Sequence, residues 1–181
     1  PHAVVGSGVD VPERADPDRF RARYGVRGPF ALYAGRREAG KAFSGLVDDF
    51  LAAVDGGAPV RTLVVAGPGE VSLPEPARRH VVDVGLLPPR DRDDAMAAAT
   101  AVLQPSPYES FSRTMMEAWL AGAFVIANRG SAVSAWHCAR AGAGATYGDP
   151  AELADALRRA TEPDARADGA RGRAYVLAEY T

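Results

Sequence analysis

Four side chains have the types and spacing to do chemistry together: Arg36 and Lys41, five positions apart, and Glu109 and Glu117, with seven residues between them. Arginine offers a planar fork and lysine a compact point charge, so the two on one short loop can grip a diphosphate. An Arg/Lys pair on an arbitrary turn is more simply solvated. Lys41, however, is the only lysine among 21 basic residues, and the other 20 are arginines. An arginine-heavy chain rich in Ala, Gly and Asp reads as GC-biased coding, and against that background a single lysine stands out. Glu109 lies in Pro105-Ser106-Pro107-Tyr108-Glu109-Ser110-Phe111-Ser112, directly before a helix that carries Glu117. Free amides and the positive dipole end at a helix start attract an anion. A carboxylate beside that anion is repelled unless it has other work, such as accepting hydrogen bonds from sugar hydroxyls. Glu117 sits among Met115, Met116 and Trp119, which makes it either outward-facing or buried with a partner. For either glutamate a plain surface charge is the simpler alternative.

The elements that must position these residues follow from apolar runs and their punctuation. Phe30 to Gly35, Thr62 to Gly67, Val81 to Gly85, Ala101 to Pro105, Phe124 to Ala127 and Ala143 to Tyr147 read as buried strands. Ser44 caps a helix to about Val54, with Leu46, Val47, Phe50, Leu51 and Val54 on one stripe. Residues 68–80 read as a loop, Arg90 to Ala99 as a short helix, and Ser112 to Ala121 as another. Residues 128–142 read as a glycine-punctuated connection with one helical turn near Ala135. Asp149, Pro150 and Glu152 open a further helix with a capping box, and residues 164–180 form a last, amphipathic, arginine-rich helix. Strands alternating with helices predict an α/β fold: a Rossmann-like parallel sheet of about six strands with helices on both faces. Ligands of such sheets bind outside the carboxyl ends of the strands. Arg36 and Lys41 follow the first strand and Glu109 the fourth, so this rule places them together.

Composition excludes several function classes. The chain has 181 residues, 47% hydrophobic and 24% charged, which fits one globular domain. A net charge of −2 argues against nucleic-acid binding. Cys138 is alone, so neither an intrachain disulfide nor a cysteine metal cluster is expected. His2, His80 and His137 lack metal-ligand spacing. No apolar run approaches a membrane span, and no charged-then-apolar leader opens the sequence, so a cytoplasmic location is expected. The first residue is Pro1 rather than Met, as for a chain set by excision or processing. Gly67-Pro68-Gly69 and Gly6-Ser7-Gly8 are weak signals, more often turns than ligand loops. His137 and Cys138, beside Trp136, read as structural. A receiver-type signalling domain needs an acidic cluster where this chain has Arg36 and Lys41.

Taken together and in order, these pieces resemble the carboxyl-terminal, donor-nucleotide-binding domain of a retaining glycosyltransferase of the GT-B fold, family 4 (group 1). VVGSGVD resembles the family's interdomain segment, usually Pro-Asn-Gly-Val-Asp. LYAGRREAGKAF resembles its Gly-Arg…Lys-Gly loop; LVVAGPG and VVDVGLLP follow in family order. AVLQPSPYESFSRTMMEAWLAGAFVIA holds the E-x7-E motif, and DPAELADAL fits the closing helix. The likeness covers nearly all of residues 1–181, with residues 1–12 as the interdomain segment and no acceptor-binding amino-terminal domain in the chain. Ser7 replaces the usual Asn, Ala42 the Gly after the loop lysine, and Ser112 the Gly after Phe111. Asn128 to Ala132 replaces a Gly-Gly stretch that precedes a Glu.

The resemblance implies roles. Arg36 and Lys41 would hold the donor diphosphate, following Gly35. Glu109, with the amides of Ser110, Phe111 and Ser112, would contact the donor sugar and phosphate. Glu117 would bind the ribose, and the backbone near Val84 would face the base. No metal or other cofactor would be needed. The partners would be a nucleotide-sugar donor, an acceptor met through the absent domain, and for the full enzyme a peripheral membrane contact. The isolated chain would be inactive. A nucleotide-sugar epimerase of the same fold, or a non-catalytic nucleotide-sugar-binding module, are the alternatives. Donor base, sugar and acceptor are not legible.

Overall fold

A computed structural model describes residues 7–70, 73 and 75–181. Each predicted apolar run becomes a strand: β1 Ala31–Ala34, β2 Leu63–Ala66, β3 Val81–Gly85, β4 Ala101–Gln104, β5 Val125–Asn128 and β6 Ala145–Tyr147. Among the described residues they form one sheet in the order β3-β2-β1-β4-β5-β6. Every neighbouring pair is parallel. The helices are α1 Pro17–Tyr24, α2 Phe43–Asp55, α3 Glu75–Arg78, α4 Pro89–Ala98, α5 Arg113–Leu120, α6 Ala132–Ala141, α7 Pro150–Arg159 and α8 Ala165–Glu179. The expected Rossmann-like α/β fold is therefore present. Strand order reverses between β1 and β4, and in sheets of this kind the ligand crevice lies outside the carboxyl ends of that pair.

Strand side chains alternate between two apolar layers. Ala31, Tyr33, Leu63, Val65, Leu103 and Ile126 pack under α2 and α7. Leu32, Val64, Val102, Val125 and Ala127 pack under α1, α4 and α5. Met115, Met116 and Trp119 are buried, as expected for core.

Five local expectations need correction. Residues 128–142 hold a ten-residue helix, α6, rather than one turn. Ser131 caps it by accepting from the Ser134 amide at 3.2 Å, and Gly142 closes it at φ 57°. Its buried face is only Ser134, His137 and Cys138, too polar to read as an amphipathic stripe. Residues 68–80 include a single helical turn, α3; positions 71, 72 and 74 lie outside the described residues. Ser44 is not a cap: it lies inside α2, whose cap position is two residues earlier at Ala42, with no side-chain cap. Asp149 does cap α7, accepting from the Glu152 amide at 2.9 Å. Glu152, however, reaches back to the Gly148 amide at 2.7 Å and to Arg129, so the box closes one residue early. Finally, α8 is not conventionally amphipathic. Its buried face is Asp168, Gly169, Gly172 and Val176. A Cβ at Gly172 would lie 2.2 Å from the Trp119 ring, so the missing side chain is what seats α8 on α5.

Helix α1 was not anticipated, although its signals are present. Asp16 caps it, Pro17 begins it, and Gly25 ends it in the left-handed region. The segment leading to it is irregular; the Val9 amide donates to the Tyr180 carbonyl at 2.9 Å. Gly6 and the start of the VVGSGVD match lie outside the described residues.

Candidate functional site

The loop after β1 is built to present one lysine. The Gly35 amide donates to Ala66 O at 2.9 Å, which extends β1 alongside β2. The Tyr33 hydroxyl donates to Arg36 O, and a 3-10 turn at Ala39–Lys41 folds the chain back. Lys41 then meets Glu109 across the crevice: Nζ donates to Oε1 at 2.7 Å. The carboxylate side chain is 9% exposed and the lysine 31%.

The loop after β4 is held from within by buried amides. Gln104 Nε2 donates to Ser112 Oγ at 2.8 Å, and Gln104 Oε1 accepts from the Ser106 amide at 3.2 Å. Ser106 Oγ donates to Tyr108 O at 3.1 Å. Asn128, at the end of β5, donates to Pro105 O at 3.0 Å. These bonds fix the backbone on both sides of Glu109.

Ala42 at φ 52° and Ser112 at φ 61° are the only non-glycine residues with positive φ among the described residues. Each precedes a helix, α2 or α5, whose first turn has no side-chain cap. Both stand where the resembled motifs carry glycine. A left-handed L-residue costs roughly 1–2 kcal/mol, and such strain gathers at functional sites. The two helix starts follow the loops after β1 and β4, and without side-chain caps they leave amides available to an anion.

Glu117, on α5, is partly buried and has two partners, which answers the choice left open by its apolar neighbours. It is 13% exposed; Arg92 Nη2 lies 3.2 Å and Arg113 Nε 3.1 Å from its Oε1. A cleft of about 170 Å³ opens beside it, between Pro12, Pro89, Arg92 and Asp93.

The other anticipated residues are placed less directly. Arg36 is exposed and pairs with Glu38 at 3.3 Å, so it does not join the Lys41–Glu109 pair. Val84 is half-buried near the end of β3. Ser110 is exposed and Ser112 buried. The Phe111 ring packs edge-on against Tyr180 and His137, with centroids at 5.2 and 6.0 Å. Gly67 serves close chain approach: at φ 132°, a Cβ there would lie 2.1 Å from Gly35 O. His137 is buried, bonded to the Tyr175 hydroxyl at 2.8 Å, and burial pushes its pKa down. Burial also pushes the Cys138 thiol up to about 12. Both are structural, as expected.

Two arrangements escaped the sequence. The Arg37 side chain is buried, forms a fork with Asp83, and donates to Gly69 O at 3.0 Å, which ties the loop after β1 to the loop after β2 and to β3. Nothing in the local pattern marks it. The Arg113–Glu117 pair was legible as an i,i+4 spacing, whereas Arg92 lies 25 residues away on α4. Among the described residues, no three His, Cys, Asp or Glu gather to hold a metal ion. No described helix is long and apolar enough to cross a membrane.

The fold recurs in solved structures. Sucrose-phosphate synthase from Thermosynechococcus elongatus superposes with a TM-score of 0.75 at 23% identity, over 97% of this chain and 47% of that one. Anabaena HepE, solved in complex with UDP-glucose, gives 0.76 at 20% identity, over 96% and 52%. WaaG, a glycosyltransferase involved in lipopolysaccharide biosynthesis, gives 0.74 at 19% identity, over 96% and 51%. All are GT-B glycosyltransferases, and this chain spans about half the length of each. A comparison with curated protein sequences returns no match. A family model, however, matches residues 28–162, from just before β1 to just past α7, and so takes in Lys41, Glu109 and Glu117. The chain belongs to the group 1 glycosyl transferases.

Proposed function

We propose that the crevice over β1 and β4 binds a nucleoside-diphosphate sugar, and that this domain is the donor-binding half of a retaining glycosyltransferase. The observation that carries the reading is the meeting of Lys41 and Glu109 at 2.7 Å across the point where strand order reverses, beside the uncapped start of α5. The site pairs what a leaving diphosphate needs with what a sugar needs. Breaking the bond from the sugar's anomeric carbon to the diphosphate oxygen leaves negative charge on that oxygen. Lys41 and the amides of Ser110, Phe111 and Ser112 stabilise it as it grows. Arg36 is held only by an exposed ion pair, worth about 0–1 kcal/mol, and swings readily onto the phosphates. Glu109 accepts from sugar hydroxyls, Glu117 from the ribose, and the backbone near Val84 meets the base. The acceptor oxygen takes the place of the diphosphate on the same face, and its proton ends on the diphosphate. In this assignment the protein's own cations do the work a metal does elsewhere.

HepE has been solved with UDP-glucose and with UDP, which supports a nucleotide-sugar ligand for this fold. The neighbours' greater length supports an acceptor domain across the crevice, reached through residues 1–12. The test is a thermal-shift panel of UDP, GDP, ADP and their sugar conjugates on this chain and on Lys41→Met. One nucleoside diphosphate should raise the melting temperature of the first and raise that of the second much less, because only a ligand of the folded state stabilises it. No shift with any of them, or equal shifts in both proteins, refutes the assignment.

A further inference from the structure

We propose that Arg92 is a positioning residue for the donor's ribose: it holds the Glu117 carboxylate so that one oxygen stays open to the ribose hydroxyls. The inference rests on the reading of Glu117 as the ribose acceptor. Both arginines bond the same oxygen, Oε1, at 3.2 and 3.1 Å. Among the described residues, Oε2 accepts no hydrogen bond. Two donors converging on one oxygen fix the rotation of the carboxylate and aim the other oxygen in one direction.

The two arginines are not equivalent. Arg113 stands one turn before Glu117 on α5 and is 64% exposed, so it moves with solvent and with α5 itself. Arg92 is delivered by α4, is 39% exposed, and keeps its Nε buried and without a partner. Helix α4 is in turn anchored from behind. Buried Asp94 takes a fork from Arg19 at 2.5 and 2.6 Å and the Asp16 amide at 2.7 Å. Buried Asp91 takes the Tyr24 hydroxyl at 2.6 Å. Arg92 therefore refers Glu117 to a separately anchored helix, and it does so at the edge of the 170 Å³ cleft that Glu117 and Arg92 both line.

The test compares affinities for UDP, GDP and ADP with those for their 2′,3′-dideoxy counterparts, using whichever base binds best. Wild type should prefer the ribonucleotide by about tenfold or more, as for hydrogen bonds to a charged group. Arg92→Met should collapse that preference to within about threefold while leaving dideoxynucleotide affinity unchanged. Arg92→Lys should restore part of it, and Arg113→Met should lower it less than Arg92→Met does; an equal or larger loss in Arg113→Met overturns the inference. Retention of the full preference in Arg92→Met overturns the inference and leaves the ribose reading standing. Equal loss of both ligands in Arg92→Met also overturns it, because that is a structural collapse. Absence of any preference in wild type sinks the ribose reading of Glu117, and this inference with it.

Discussion

Replacing Glu109 with glutamine should tighten the binding of a bare nucleoside diphosphate. In the free protein Lys41 donates to Glu109 at 2.7 Å. A phosphate oxygen that bonds the same tetrahedral ammonium comes to lie about 4.5 Å from the carboxylate, given a charge-assisted bond of about 2.8 Å. At an effective dielectric of about 40, fitting a half-open site, that pair of unit charges repels by about 1.8 kcal/mol. Glu109→Gln removes the repulsion but keeps an acceptor for Lys41, so the loop geometry survives. Affinity for the bare diphosphate should rise by about twentyfold, and the gain should shrink at high salt. With the sugar attached, the lost carboxylate–hydroxyl bonds offset or reverse the gain. Paired calorimetric titrations with a nucleoside diphosphate and its sugar conjugate, at two salt concentrations, measure both effects. Equal or weaker binding of the bare diphosphate would refute the competition argument. A gain of the same size for both ligands would refute the sugar contact.

Gly172→Ala should lower the melting temperature by several degrees, about 2–4 °C for each kcal/mol of overpacking, because Trp119 occupies the space a Cβ needs; an unchanged midpoint would contradict the seating of α8 on α5. Ala42→Gly should raise it by a few degrees, since relief of left-handed strain of roughly 1–2 kcal/mol exceeds the extra chain entropy of about 0.5–1 kcal/mol. Ser112→Gly should gain less than Ala42→Gly, because it also removes the hydroxyl that accepts from Gln104, and equal gains would deny that bond any weight. His137 has a folded pKa below its ordinary value of 6.5, so the unfolded chain binds the proton more readily. Stability should therefore be level above about pH 6.5 and fall as pH drops below it, and a wild-type melting curve no steeper in acid than that of His137→Asn would refute this.

The strands and their parallel arrangement were legible in the sequence because each is a short apolar run, all but β5 closed by glycine or proline, and separated by a helix-length interval. That pattern admits little besides an α/β sheet, and the sheet then brings the loops after its first and fourth strands to one edge. Lys41, Glu109 and Glu117 could thus be named as candidates from residue type and spacing, while their roles came only from the family resemblance. Helix α6 was not legible, because its buried face is made of Ser134, His137 and Cys138, and no periodic apolar signal marks it. The contact surface of α8 was misread for a related reason: it is defined by absent side chains at Gly169 and Gly172, and a hydrophobic pattern cannot record an absence. Within the site, the local sequence carried the i,i+4 partner Arg113 but not Arg92 or the Arg37–Asp83 fork, whose members are separated by 25 and 46 residues. Such pairs exist only once helices and strands have packed, since a side chain's partner across the fold depends on where two elements cross. Tertiary structure alone also separated Arg36 from Lys41, sending one to Glu38 in solvent and the other to Glu109 in the crevice. Five residues of loop give no preference between those directions; the 3-10 turn and the left-handed Ala42 decide it by turning the chain back over the sheet edge.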